Sequence, residues 1–150
     1  MSSRKNLAGP FSAWLRSPEL ANRLQRVGEY IRYHSSLPPA LNELAILVTA
    51  RQWRSQEKWG IHYPAGLAAG LSAKMLDDLS KDRRPQGLTV DQAPVYDIRL
   101  RLHRDRVRIS DHMFGAAVAR FDEQCVIDLV GLAGYYSTVA MTLNIGRGSP

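Results

Sequence analysis

An all-α fold of about seven helices is predicted by three features of the sequence. Apolar residues recur at three- and four-residue spacing through most of the chain, and serine and proline stand where helices begin. One segment alternates in strand fashion, but nothing elsewhere offers it a partner strand.

Taken in order, Arg4 and Lys5 precede a Gly9-Pro10 turn, and Ser17, Pro18 and Glu19 then open a first helix. Its Leu20, Leu24, Val27 and Ile31 share a face over residues 18–34. Ser35 to Pro38 break it, and Pro39 opens a second helix reaching Gln52, with Leu41, Leu44, Ala45 and Val48 on one side. A third helix is expected over 54–69 despite Gly60 and Pro64, because Ser55, Lys58, Trp59 and His62 fall at helical intervals. Gly70-Leu71-Ser72 reads as a C-cap followed by an N-cap, and a short helix with Met75, Leu76 and Leu79 inward follows. Residues 81–89, charged and holding Pro85 and Gly87, are a surface loop.

Ile98 to Leu102 is the alternating segment, yet Val95, Ile98, Leu102 and Ile109 lie on one helical face and Tyr96, Leu100 and Val107 on another. That pattern predicts a helix over 94–109 with contacts on both sides. Ser110-Asp111 cap a further helix to Phe121, and Asp122 begins a long C-terminal helix.

The 150 residues suit a single domain that buries roughly 70% of its extended surface. With 45% hydrophobic and 23% charged residues, the disordered, collagen-like and low-complexity classes are excluded. Cys125 is the only cysteine, which excludes an internal disulfide and a paired-cysteine zinc site and makes a cytoplasmic setting the expectation. The net charge of +6 invites a nucleic-acid or membrane partner. Its arginines are scattered, however, and the dense run from Arg99 to Arg108 interleaves aliphatic rather than stacking residues, so no nucleic acid is expected. No signal peptide is apparent. Cys125 to Ile145 is long enough to cross a bilayer, but Asp128, Ser137, Thr138, Thr142 and Asn144 are costly against lipid. No membrane partner is expected, and the segment reads as a helix inside a soluble helical assembly.

Two features stand out chemically. Glu43 lies within the apolar run Leu41 to Val48, where a carboxylate needs a partner or an exposed face. Ser55, Lys58 and His62 are spaced i, i+3, i+7 and so line one helical strip, with Trp59 one turn before the histidine. Serine with a desolvated lysine can form a nucleophilic pair. His34, His103 and His112 have no comparable setting.

The stretch from Leu37 to His62, with Glu43, Trp59 and His62 in place and followed by Ala65, Ala68, Gly70, Leu71 and Ser72, resembles the carboxymuconolactone decarboxylase family. Ala8 to Leu20 is similar to the N-terminal segment of that family, and Asp128 to Tyr136 through Asn144 to its last helix. The resemblance implies an alkylhydroperoxidase D-like helical bundle assembled as a homo-trimer or homo-hexamer. It implies one of two activities, decarboxylation of a lactone or thiol-dependent peroxide reduction. The peroxidase branch carries a Cys-x-x-Cys pair before the histidine, where this chain has Ser55 and Lys58, so disulfide cycling is chemically impossible there.

In the decarboxylase-like branch an acidic residue is commoner at the position of Lys58. An ammonium there can pair with Glu43 or hold a substrate carboxylate, and either role keeps it protonated. The implied reading is a lyase needing no metal or organic cofactor and acting on a small anionic organic substrate. His62 is its general acid or base and Glu43 orients the imidazole, while Lys58, Trp59 and Ser55 contact substrate. The alternatives are a peroxidase and a non-catalytic oligomer that binds a ligand.

Overall fold

In a computed structural model, which describes residues 9–105 and 108–146, the chain winds around one central helix. The elements are α1 (Gly9–Trp14), α2 (Pro18–Tyr33), α3 (Pro39–Gln52), α4 (Gln56–Ala68), α5 (Ala73–Ser80), α6 (Gln92–Leu100), α7 (Asp111–Phe121) and α8 (Glu123–Gly146). Among the described residues there is no strand.

The central element is α3. Apolar residues at nearly every position from Leu41 to Ala50 cannot share one face, and α4, α6 and α8 pack around the helix to cover them. The one-sided face expected here is therefore incomplete: Leu41, Leu44 to Ala50 and even Asn42 are all buried. Glu43 is the exception within that run. Gly66 brings α4 close, since a Cβ there would stand 3.0 Å from Leu47 Cδ1.

Pro64 survives inside α4 because the bond it forfeits is that of the Gly60 carbonyl, and Gly60 is exposed to water. Serine caps behave as their chemistry requires: Ser72 Oγ accepts from Met75 N–H and Ser110 Oγ from Met113 N–H, each at 3.1 Å. Asp122, with φ of 98°, turns the chain between α7 and α8, and its carboxylate accepts the Cys125 N–H at 2.8 Å.

Two expectations need correction. Gly9 and Pro10 open a helix rather than a turn, because proline is well suited to a helix's first residues. Trp14 of this eighth helix is buried beside Val139 and Leu143 and donates its indole N–H to Thr142 Oγ1 at 2.9 Å. The helix expected over 94–109 ends its α-helical part at Leu100 and continues as a π-helical turn, Arg101–Asp105. The wider turn changes the phase of the side chains, so the two apolar stripes do not run on as drawn for an ideal helix. Residues 106 and 107 of that expectation lie outside the described part, as do Arg4 and Lys5, and residues 108–110 are not helical.

Much of the positive charge is held in ion pairs. Arg83 pairs with Asp78 at 2.9 Å and Arg104 with Asp82 at 2.6 Å, while Arg84 meets Asp97 and Arg120 meets Asp91. Arg99, the first residue of the dense arginine run, faces inward with 2% exposure and donates from Nε to Thr49 Oγ1 at 2.7 Å. Burial pushes its guanidinium down to about 10.

Helix α8 is long and apolar enough to span a membrane by length and composition, but half of that window is buried against the rest of the chain. Its Asp128 is also buried, taking hydrogen bonds from Tyr30 Oη at 3.0 Å and from both the backbone N–H and hydroxyl of Ser36 at 2.8 Å. Ile127, Val130, Met141 and Ile145 remain exposed along its other side.

Candidate functional site

The site forms where α3 crosses α4. Glu43 lies one turn into α3, directly after the Pro39 start, and His62 lies in the second turn of α4. The two side chains meet: His62 Nδ1 is 2.8 Å from Glu43 Oε2, with the imidazole 4% and the carboxylate 19% exposed. A carboxylate at this distance holds the hydrogen on Nδ1, which leaves Nε2 as the nitrogen free to exchange a proton. The ring is fixed from a second side by Tyr136, whose ring meets it edge-on at 5.5 Å.

His62 lines a partly open cavity of about 500 Å³ walled by α1, α2, α4 and α8. Arg32 and Lys58 bring positive charge to it, and Phe11, Ile61, Tyr136 and Val139 bring apolar surface. Burial raises the phenols of Tyr135 and Tyr136 above the ordinary tyrosine value, so both remain proton donors. Gly28 of α2 completes the wall: a Cβ there would lie 2.3 Å from Tyr135 Oη, so only glycine lets the phenol rest against the helix.

Lys58 is placed one turn before His62 on the same wall, and no carboxylate pairs with it among the described residues, because Glu43 is held by the histidine. Pairing with Glu43, one of the two roles expected for it, is not observed. Instead burial and the neighbouring Arg32 lower its amine below the ordinary lysine value, against the opposing pull of Glu57.

Ser55 and Trp59 stand elsewhere. Ser55 is the extended N-cap of α4, its Oγ facing the Lys58 backbone N–H at 3.5 Å, so it is not on the helical strip that carries Lys58 and His62. With Trp59 it lines a different cavity, also of about 500 Å³, beside Arg51, Arg54 and Ser80. The contact with a shared substrate expected of Ser55 and Trp59 thus finds no common cavity. Cys125 lies buried in α8, where burial pushes its thiol up and makes thiolate formation harder.

Sequence reasoning missed Arg32, Gly28, Tyr135 and Tyr136 as site residues. The tyrosines were part of the stretch that carried the family resemblance, which was a usable signal. Arg32 gave none, since only the packing of α2 against α4 and α8 brings it to the cavity. Among the described residues no cluster of three or more histidine, cysteine or acidic side chains could hold a metal.

No protein-family model matches the chain, and no curated protein matches it in sequence. The chemistry must be read from the site itself. It holds a hydrogen-bonded imidazole–carboxylate pair, two cationic side chains and an apolar wall around space for a small molecule.

Proposed function

We propose that the protein is a lyase of the decarboxylase kind, needing no cofactor and acting on a small carboxylated lactone or related organic acid. The observation that supports this most directly is the 2.8 Å contact between His62 and Glu43 at the wall of a cavity that also carries Arg32 and Lys58. Loss of carbon dioxide leaves an electron pair that spreads into a neighbouring carbonyl and must then be quenched by a proton on carbon. His62 supplies the proton through Nε2 while Glu43 steadies the imidazolium that donates it. Arg32 draws the anionic substrate in and offsets charge on the developing enolate oxygen, with Lys58 beside it on the cavity wall. The apolar wall favours the transition state, in which charge leaves the carboxylate and becomes diffuse. The departure at Lys58 from the commoner acidic residue fits an anionic substrate.

The test is His62→Gln, which retains a hydrogen-bonding side chain toward Glu43 but cannot shuttle a proton. Carbon dioxide release from a panel of carboxylated lactones is expected to fall about 10²–10⁴-fold, with the helical circular dichroism unchanged. Equal rates in the two proteins reject the assignment.

A further inference from the structure

We infer that Lys58 is a covalent catalyst of this cavity, its amine forming an imine with the ketone of a small 3-oxo acid whose carboxylate then leaves as carbon dioxide. This rests on the lyase reading and gives it a substrate class.

The placement of Lys58 carries the inference. Its side chain lines the same cavity as His62 from one helical turn away. A lysine kept as a point charge is normally matched by a carboxylate in an ion pair; here the adjacent Glu57 favours the charged amine but forms no ion pair with it among the described residues. Glu43 is committed to His62, and Glu29, although it lines the cavity, forms no ion pair with Lys58. The nearest cation across the cavity is Arg32, which stands in no ion pair among the described residues. An amine that is half-buried beside a second cation is the setting in which lysine acts as a nucleophile, because only the uncharged form attacks a carbonyl. Burial is the largest influence on Lys58 and acts in that direction, Arg32 adds to it, and Glu57 opposes it. Serine provides no competing nucleophile, since Ser55 is used as a helix cap and faces another cavity.

The 3-oxo acid follows from the electron flow. The amine adds to the ketone carbon, and the resulting carbinolamine expels its hydroxyl as water with a proton from the His62 imidazolium, leaving an iminium. The bond between the carboxylate and the adjacent carbon breaks, its electron pair enters the iminium to give an enamine, and carbon dioxide departs. His62, reprotonated from solvent, then protonates the enamine carbon. Water adds to the new iminium with His62 accepting its proton, and collapse releases the ketone and the free amine. One proton is drawn from solvent per turnover. A carbonyl placed one carbon nearer the carboxylate, or farther away, would not put the breaking bond where the iminium can accept its electrons.

The experiment is incubation of the full chain with acetoacetate followed by borohydride, with intact mass and peptide mapping, and carbon dioxide release measured in parallel. A single reduced adduct is expected on the peptide carrying Lys58, absent from Lys58→Arg and Lys58→Met and formed more slowly in His62→Gln, which lacks the acid that expels water from the carbinolamine. Carbon dioxide release from acetoacetate is expected to be lost in all three variants. An adduct no greater at Lys58 than at the surface residues Lys74 and Lys81 overturns the inference. So does full release of carbon dioxide from a lactone substrate by Lys58→Arg with no adduct in the wild type, a result that leaves the lyase reading standing. A Lys58 adduct without carbon dioxide release from any substrate upholds the imine and overturns the lyase.

Discussion

Asp128 and Glu43 are both carboxylates set into otherwise apolar helices, and the company each keeps is different. Asp128 accepts from the Tyr30 hydroxyl, the Ser36 hydroxyl and the Ser36 backbone N–H, so its lone pairs are occupied by donors with no proton to give up near neutral pH. Among the described residues Glu43 has one side-chain partner, the imidazole of His62. Asp128 is buried at 7% and ties the turn after α2 to α8, whereas the Glu43 pair borders open space. A buried carboxylate surrounded by fixed donors serves the fold, while one resting on a single imidazole beside a cavity fits the proton-transfer role proposed for it.

The largest effect that separates the two is expected from Glu43→Gln. Replacing the carboxylate by an amide removes the charge that steadies the imidazolium and permits the wrong imidazole tautomer, so turnover should fall about 10²-fold or more. Its unfolding free energy should change little, because the side chain is partly exposed and the amide still hydrogen-bonds. Steady-state kinetics and urea denaturation on one preparation measure both quantities. Asp128→Asn is the converse and somewhat smaller perturbation. An amide NH₂ must face one of the donors, leaving a buried polar group unpaired at a cost of about 2 kcal/mol in stability, with turnover per folded molecule unchanged. Loss of turnover in folded Asp128→Asn, or of stability alone in Glu43→Gln, would break the contrast.

This contrast also shows what could be read from the sequence. Every helix from Pro18 onward was legible, since its signals are local: proline at a first turn, serine before it and a three- or four-residue apolar period. Glu43 and His62 stood out for the same reason, one as a carboxylate in an apolar run and the other at helical spacing from a lysine. What failed was whatever depends on the third dimension or on a deviation from ideal period. The π-helical turn at Arg101–Asp105 altered the phase of a helix drawn as regular, and the strip through Ser55 assumed a helix that begins only after it. That Arg99 faces inward was not legible, because residue type alone does not reveal that α6 turns it toward Thr49 of α3. Arg32 and Gly28 joined the cavity through packing alone, and Asp128 was legible as costly but not as satisfied.

Lys58 sharpens the comparison by extending it to a half-buried charge that stands in no ion pair among the described residues. Where Asp128 is held by fixed donors and Glu43 by the His62 imidazole, burial and the neighbouring Arg32 outweigh the pull of Glu57 on the ammonium, so its charged form is less favoured in the folded protein than in the unfolded chain. The folded amine is therefore lowered below 10.5, and wherever the amine is charged the unfolded state holds its proton more comfortably. Lys58→Met should accordingly raise the melting temperature at neutral pH, the smallest of these effects. The sign fixes its pH dependence: as pH climbs through the folded value toward the ordinary lysine value, the wild type sheds the proton and recovers stability, so the gap to Lys58→Met narrows. Thermal denaturation of both proteins across that range measures the gap. A constant difference would assign it to methionine packing alone, and a wild type more stable than Lys58→Met at neutral pH would mean that the ammonium is held by a partner, placing Lys58 with Asp128 among the charges that serve the fold.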